Sequence, residues 1–202
     1  MQLSLNDIEI RFVKKEDTTG ILEIYKPFIL DTVVSFEIEV PSVNSFWGRI
    51  DEIQNDHPYL VAIYKGEVCG YAYSSPHRGR YAYQWTKEIS IYLSPNFRGI
   101  GLGKKLYLTL LDILKKQGIQ TAVAGITVPN EPSEAFHLSF GFRLIGTYPR
   151  VGFKKGKWQD VSWYNLPIND FPICDIQSPR DYRVVSSINK LFKGISKDLT
   201  IK

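Results

Sequence analysis

A glycine-rich loop between a strand pattern and a helix pattern is the feature that most constrains this chain. Residues 88–93 alternate and are rich in β-branched and aromatic side chains, which predicts a strand. From residue 102 to 114 leucines recur at helical spacing. Between the two lies the run Arg98-Gly99-Ile100-Gly101-Leu102-Gly103. Because glycines let the backbone aim its N–H groups outward and a helix start favours an anion, this loop predicts a phosphate-binding site.

The spacing of the glycines decides which kind of phosphate loop this is. A dinucleotide fingerprint needs its third glycine one residue later than Gly103, and a Walker A loop needs Ser or Thr where Lys105 stands. The pattern that fits is Arg/Gln-x-x-Gly-x-Gly/Ala, filled by Arg98, Gly101 and Gly103. It resembles the pyrophosphate loop of the GNAT acyl-CoA N-acyltransferases. The alternative is a glycine-rich turn before an ordinary helix.

Length and composition narrow the class of protein. The 202 residues favour one domain with a full core, and a formal charge of +4 spread along the chain gives no case for nucleic acid. Two cysteines, Cys69 and Cys174, are too few for a disulfide framework or a metal site. The chain has no run of 18 apolar residues and no signal-peptide pattern at its start. We expect a cytoplasmic protein without membrane, nucleic-acid or metal partners.

The order of predicted elements is β-α-α-β-β-β-α-β-α-β-β, which indicates an α/β protein with a mixed central β-sheet and helices on both faces. Pro27 is expected to kink or shorten the first helix, and Ser133 to cap the short helix that follows the fifth strand. We assign residues 1–168 to one domain. We assign residues 169–202 to a C-terminal extension. Within it, the pattern of residues 184–195 predicts a short amphipathic helix.

Several separated motifs give the chain a closer resemblance. They are Ala82-Tyr83-Gln84-Trp85-Thr86-Lys87-Glu88, Tyr92-Leu93-Ser94-Pro95, Pro129-Asn130-Glu131-Pro132-Ser133, His137, Gly141-Phe142 and Gly152-Phe153-Lys154-x-Gly156-x-Trp158-x-Asp160-Val161. In this order they resemble the phosphinothricin acetyltransferase family within the GNAT superfamily. The resemblance covers about residues 8–166 and implies the GNAT fold, with acetyl-CoA as cosubstrate.

The resemblance implies two catalytic residues. Transfer of an acetyl group to an amine needs a base, because a protonated amine cannot attack. The family places its general base at Glu88, which by pattern alone reads as a solvated residue at a strand start. His137 is implied as the acid that protonates the leaving thiolate or as a partner of Glu88. From the residues alone, a lone histidine is more often structural.

The resemblance also implies the binding residues. Backbone N–H groups of the loop would hold the pyrophosphate, at Arg98, Gly99, Ile100, Gly101, Leu102, Gly103 and Lys104. The strand backbone at Ile91 and Leu93 would pair with the pantetheine arm, with the N–H near Leu93 as oxyanion donor and further contacts from Asn130 and Ser133. On the acceptor side the implied residues are Phe36, Arg78, Arg80, Tyr83, Tyr92 and Val161. Family members are homodimers in which the last hairpin reaches the neighbouring site.

Three functions remain open at this point. The first is acetylation of the α-amine of a small amino acid or analogue, such as phosphinothricin or methionine sulfoximine. For that function a carboxylate must be bound, and Arg78 and Arg80 would lie on one side of the chain if their segment is extended. The second is acetylation of a protein N-terminus or lysine. The third is a CoA-binding module without catalysis.

Overall fold

The computed structural model describes residues 4–171 and 176–185. Its elements follow the predicted order, with one short helix added at the end. They are β1 (Ile8–Phe12), α1 (Thr18–Leu30), α2 (Val43–Asp56), β2 (Tyr59–Tyr64), β3 (Glu67–Pro76), β4 (Thr86–Leu93), α3 (Leu102–Gln117), β5 (Thr121–Val128), α4 (Glu131–Leu138), β6 (Arg143–Lys154), β7 (Lys157–Pro167) and α5 (Tyr182–Val185).

The seven strands form one mixed sheet in the order β1-β2-β3-β4-β5-β7-β6. Neighbouring strands run antiparallel except at β4 and β5, which are parallel. These two strands pair over three positions only, from Thr86↔Thr121 to Glu88↔Val123. Beyond that point the sheet is open between them, although both strands continue for five more residues.

Helices pack on both faces of the sheet, as predicted. Ile21, Leu22 and Ile50 of α1 and α2 pack with inward side chains of β2 and β3 such as Val61 and Tyr71. On the opposite face the leucines of α3 pack against a second set of strand residues that includes Leu60, Ala72 and Cys69. Alternate residues of one strand therefore enter different cores, as the two-residue period of a strand requires.

Two local predictions differ from the structure. Of the kink or shortening expected at Pro27, the shortening is wrong, because the first helix continues to Leu30 and Asp31 N–H donates to Pro27 O at 2.8 Å. The start of α4 is capped by Asn130 rather than Ser133, since Asn130 Oδ1 accepts from Ser133 N–H at 3.4 Å. Asn130 stands one position before the first helical residue, where its carbonyl can reach that N–H.

The described part of the C-terminal segment lies against the body of the protein. Trp85 Nε1 donates to Gln177 O at 2.9 Å, and Arg180 N–H donates to Gln117 O at 2.8 Å. The ring of Tyr182 packs edge-on against Phe12, with centroids 5.0 Å apart. Of the predicted helix 184–195, only 184–185 are described and are helical, and the remainder lies outside the described residues, as does Cys174. Cys69 is buried as a free thiol.

Burial of His57 makes the folded protein less stable at acidic pH. Desolvation lowers the pKa of His57 from 6.5 to about 4, helped by the charge of Lys87. Between these values the unfolded chain holds a proton that the folded chain does not, so stability falls as pH falls from 6.5 to 4, by about 3 kcal/mol in total.

We predict that His57→Gln flattens this part of the stability curve. Urea unfolding of the wild type and the variant at several values from pH 7 to pH 4 measures it. An equally steep loss of stability in the variant would show that other groups cause the loss of stability at acidic pH. Burial also lowers the pKa of His137. Because both proteins retain His137, its contribution to the pH dependence of stability is the same in each.

Candidate active site

A cleft opens where β4 and β5 part. Its inner end, of about 80 Å³, lies between Ile89–Tyr92 on β4 and Ala124–Thr127 on β5. A wider outer part, of about 470 Å³, continues along β4 to Leu93 and to the glycine-rich loop at Arg98 and Gly99. Asn130 and Ser133 line both parts. The fold therefore brings together along one cleft six of the residues that we expected to bind a cofactor: Ile91, Leu93, Arg98, Gly99, Asn130 and Ser133.

The backbone of β4 presents hydrogen-bonding groups to this cleft. Ser94 N–H donates to Cys69 O of β3 at 3.0 Å. Residues that alternate with Ser94 therefore direct their N–H groups to the other edge of the strand, and these are Ile91 and Leu93. Arg98, which lines the cleft, donates from Nη2 to Leu93 O at 3.4 Å. Since β5 has left this edge, an extended chain of amides can add here as a strand would.

The start of α3 is suited to bind an anion. Gly99 and Gly101 have φ of +76° and +88°, which glycine adopts without strain. The first helical bond runs from Lys105 N–H to Gly101 O at 3.1 Å, so the N–H groups of residues 102–104 have no carbonyl one turn earlier. They suit a pyrophosphate. Leu102 is fully buried and Ile100 packs on the core, so both can offer only backbone to a ligand.

Close packing at Gly103 joins three elements around the cleft. A Cβ at this position would lie 3.2 Å from Leu93 Cδ1 and 3.4 Å from Phe136 Cε2. Glycine therefore lets α3 approach both β4 and α4 more closely than other residues allow. This close packing at Gly103 accompanies the position of Phe136 in the wall of the cleft.

His137 lies on α4 at the inner end of the cleft and is 5% exposed. Its Nδ1 donates to Ser133 O at 2.7 Å, and its ring is surrounded by Tyr107, Phe136 and Phe142 at centroid distances of 5.2–5.6 Å. Burial lowers the pKa of His137, which favours the neutral ring. A neutral ring with its proton on Nδ1 has an acceptor at Nε2.

Glu88 has a histidine partner, but it is His77 and not His137. His77 Nδ1 lies 2.9 Å from Glu88 Oε1, and the two side chains are 19% and 31% exposed. The alternative in which His137 is the partner of Glu88 is therefore corrected. The antiparallel register of β3 and β4 explains the difference, since Pro76 lies opposite Lys87 and brings His77 beside Glu88. Strand register is a tertiary feature, so no local pattern in the sequence marked His77 as the partner of Glu88.

Aromatic side chains surround the Glu88–His77 pair. The ring of Tyr83 lies 6.0 Å from that of His77, and the indole of Trp163 lies 5.7 Å away on the other side. Trp163 also covers Gly125, where a Cβ would lie 3.3 Å from the indole. Trp163 Nε1 is buried without a hydrogen-bond partner among the described residues. Sequence reasoning identified Tyr83 but missed Trp163, which lies in an alternating strand with no local motif to mark it.

The other expected acceptor residues take different positions. Phe36 is 39% exposed, and its ring packs directly on Gly152. A Cβ added at Gly152 would overlap this ring. Tyr92 lines the cleft, and its ring stacks on Tyr71 at 5.1 Å. Val161 is half-buried on β7, opposite Thr127 of β5.

Arg78 and Arg80 are exposed on the loop that connects β3 to β4. Residues 77–80 are a series of bends rather than an extended segment, so the argument that spacing alone puts both side chains on one side does not hold. Within residues 4–171 and 176–185 neither guanidinium has an acidic partner. Both are thus available to an anionic ligand near His77.

A buried lysine fixes the loop that carries Phe36. Lys154 is 7% exposed, and its Nζ donates to Ile29 O and Ser35 O, both at 2.6 Å. Ser35 in turn hydrogen-bonds Tyr25 at 2.6 Å. The β6–β7 hairpin, the end of α1 and the Phe36 loop are therefore held together by one ammonium group, although Lys154 gave no such signal in the sequence.

Comparison with known proteins places this geometry in a family. The sequence model described as an acetyltransferase (GNAT) domain matches residues 10–163. The chain belongs to the GNAT acetyltransferase family. It is 34% identical over 181 residues to the phosphinothricin N-acetyltransferase of Streptomyces viridochromogenes, covering 90% of this chain and 96% of that one. It is 32% identical over 168 residues to the L-methionine sulfoximine/L-methionine sulfone acetyltransferase of Salmonella typhimurium, covering 82% and 98%.

Solved GNAT structures agree with the fold. A GNAT phosphinothricin acetyltransferase from Sinorhizobium meliloti, crystallised in complex with AcCoA, matches with a TM-score of 0.79 and 34% identity. The match covers 85% of this chain and 94% of that one. Among the described residues of this GNAT protein no group of three or more His, Cys, Asp or Glu side chains could hold a metal ion, and no helix is long and apolar enough to cross a bilayer.

We predict that Lys154→Met destabilises the protein by about 2–4 kcal/mol, because it leaves two buried carbonyls without a donor. Lys157→Met, an exposed lysine of the same hairpin, should change stability by less than about 0.5 kcal/mol. Urea unfolding measures both. Equal effects of the two substitutions would mean that Lys154 does not hold the loop.

Proposed function

We propose that this GNAT protein transfers the acetyl group of acetyl-CoA to the α-amino group of a small amino acid or amino-acid analogue. The observation that carries the proposal is the arrangement of the cleft. The start of α3, with its free N–H groups, lies at one end, and Glu88, hydrogen-bonded to His77, is the last residue of β4 that pairs with β5 before the cleft opens. The names of the relatives, which act on phosphinothricin and on methionine sulfoximine or sulfone, support this class of acceptor.

The residues present fit acetyl-CoA. The N–H groups at residues 102–104 suit its pyrophosphate, and the free edge of β4 at Ile91 and Leu93 suits the amides of its pantetheine arm. Bound there, it supplies a thioester as acyl donor. We propose that Leu93 N–H donates to the oxygen that becomes negative during transfer. Acetyl-CoA is made and used inside the cell, and we propose that the protein acts in the cytoplasm.

Glu88 is the proposed general base. It accepts a proton from the acceptor's ammonium group, directly or through a water, which frees the nitrogen lone pair to form the new C–N bond. The C–S bond then breaks, and the thiolate takes up a proton. His77 is proposed as a positioning residue, because its bond to Oε1 orients the Glu88 carboxylate. Transfer is direct, with no covalent bond to the protein.

His137 remains the second proposed catalytic group, as the acid for the leaving thiolate. Its position at the inner end of the cleft supports this role. Two observations oppose it, since Ser133 O already accepts the Nδ1 proton and burial lowers the pKa of the ring. We therefore expect its contribution to be smaller than that of Glu88.

The acceptor is proposed to lie between Phe36, Tyr83, Tyr92 and Val161, with its carboxylate bound by Arg78 and Arg80. The arginines supply the bidentate donors that a carboxylate prefers, and they are exposed and without acidic partners among the described residues. Acetylation of a protein or peptide is the second candidate function. Such an acceptor need not present a free α-carboxylate, so these arginines would have less to bind. A CoA-binding module without catalysis is the third, and the Glu88–His77 pair has no evident use in it.

We also propose a homodimer. The last hairpin, β6–β7, exposes a set of large apolar side chains, each at least half exposed: Leu144, Ile145, Tyr148, Val151, Phe153 and Trp158. So many large apolar side chains exposed on one hairpin favour a protein contact. A second copy of the chain would cover it and bring the hairpin toward the neighbouring site.

We predict that Glu88→Gln lowers kcat for acetyl transfer by about 100-fold or more, the effect of losing a general base. The affinity for acetyl-CoA should be nearly unchanged, since the substitution removes a charge at the acceptor end only. A thiol-release assay measures kcat, and isothermal titration measures the affinity. Glu67→Gln, an exposed glutamate at the start of β3, is the matched control and should behave as wild type.

His137→Ala should slow turnover less than Glu88→Gln and change the pH profile. Wild-type turnover by Glu88→Gln from pH 6 to pH 9 would exclude this carboxylate as the base. If Glu88→Gln instead lost both turnover and acetyl-CoA binding, its defect would be structural.

The acceptor class is tested at Arg80. We predict that Arg80→Ala lowers kcat/KM for amino acids by about 30-fold, the lower end of the cost of removing one member of a charged pair. Amines that lack the carboxylate should be poor substrates of the wild type and should not distinguish the two proteins. A preference for peptides or decarboxylated amines, with no effect of Arg80→Ala, would favour the protein-acetylating alternative.

A further inference from the structure

A second cavity lies away from the β4–β5 cleft, where the C-terminal segment crosses the body. It encloses about 430 Å³ and is lined on the body side by residues at the end of α2, the start of β4 and the end of α3. The segment 179–183 closes the other side. Lys87, which lines it, neighbours Glu88 on β4, and adjacent strand residues point to opposite faces of a sheet. The cavity and the candidate active site are therefore separate.

Three side chains that line this cavity have a buried polar atom without a partner among the described residues, namely His57 Nδ1, Gln84 Nε2 and Gln117 Oε1, and the buried side chain of Lys87 lines it with them. Lys87 is 8% exposed, and no carboxylate lies within ion-pair distance of it. His57, also 8% exposed, has no partner for Nδ1. Gln117 donates from Nε2 to Arg180 O at 2.9 Å, but its Oε1 has no partner. An unpaired buried polar group typically costs about 1–3 kcal/mol, so a ligand that pairs them gains binding energy.

The charges around the cavity indicate the kind of ligand. Asp181 and Arg183 pair with each other, with two bonds of 2.8–2.9 Å, and so largely cancel. Of the remaining charged side chains that line it, Lys87 and Arg180 are cationic and Asp56 is anionic. This excess of one positive charge suits a monoanion, while a dianion would exceed it and be repelled by Asp56.

We propose that this cavity is a binding site for a small organic carboxylate that also carries a hydroxyl group. Its carboxylate pairs with the ammonium of Lys87 and accepts a hydrogen bond from the imidazole of His57. Its hydroxyl donates to Gln117 Oε1. The C-terminal segment is part of the site, since Pro179 and Arg180 form its outer wall. This site does not depend on the proposed acetyl transfer.

Binding is tested on the full-length protein with sodium L-lactate, sodium acetate and inorganic phosphate at matched ionic strength. We expect saturable binding of L-lactate by isothermal titration, weaker binding of acetate because it lacks the hydroxyl, and no binding of phosphate. In backbone amide NMR spectra the shifts should centre on Lys87, Gln117 and Arg180. Saturable binding by phosphate alone, or shifts centred on the start of α3, would overturn the proposal.

The variants Lys87→Met and Lys87→Gln should weaken lactate binding at least tenfold. Lys26→Met removes the same charge from an exposed position on α1 and should bind as wild type. If Lys87→Met does not fold, Lys87→Gln and the wild-type spectra still decide the question. Equal affinity of Lys87→Gln and wild type, or no saturable binding of L-lactate by the wild type, would contradict the site.

Discussion

The parting of β4 and β5 is the constraint on which the functional part of this structure depends. The two strands are parallel and pair over three positions only, so each presents a free edge to the gap between them. Buried backbone N–H groups need partners, and a cleft that exposes them is suited to bind a ligand rich in amides. The same parting leaves Glu88 at the closed end and directs the continuation of β4 toward the loop that starts α3. The proposed cofactor site and the proposed base thus both follow from one opening in the sheet.

Packing on either side keeps the cleft open. Gly103 brings α3 and α4 close to β4, and Gly125 lets the indole of Trp163 lie on β5. On the acceptor side Lys154 binds carbonyls of α1 and of the Phe36 loop, which ties the β6–β7 hairpin to that loop. These contacts join residues that are far apart in sequence.

Much of the fold could be predicted from local patterns. Alternation, helical spacing of the leucines, and the glycines before and after α3 gave all eleven predicted elements in order, because each of these signals acts within a few residues. The glycine loop was also identifiable, since its conformation depends on Gly99 and Gly101 themselves. The failures concern competition between neighbours, as at the start of α4, where Asn130 rather than Ser133 makes the cap.

The site was less accessible to sequence reasoning where it depends on tertiary contacts. The partner of Glu88 is His77, and that choice is made by the register of β3 against β4, which no local pattern reports. Trp163 and Lys154 act across the sheet and gave no motif of their own. The resemblance implied a catalytic role for His137, which stays a prediction, and the structure adds that the ring is buried and bonded to Ser133 O.

Binding of acetyl-CoA to the start of α3 is the central claim, and isothermal titration tests it most directly. Gly101 and Gly66 both have φ near +87°, so glutamate at either position strains the backbone similarly, but only Gly101 lies at the anion site. The account predicts roughly micromolar binding by the wild type and by Gly66→Glu, and none by folded Gly101→Glu. Wild-type affinity in folded Gly101→Glu would contradict it.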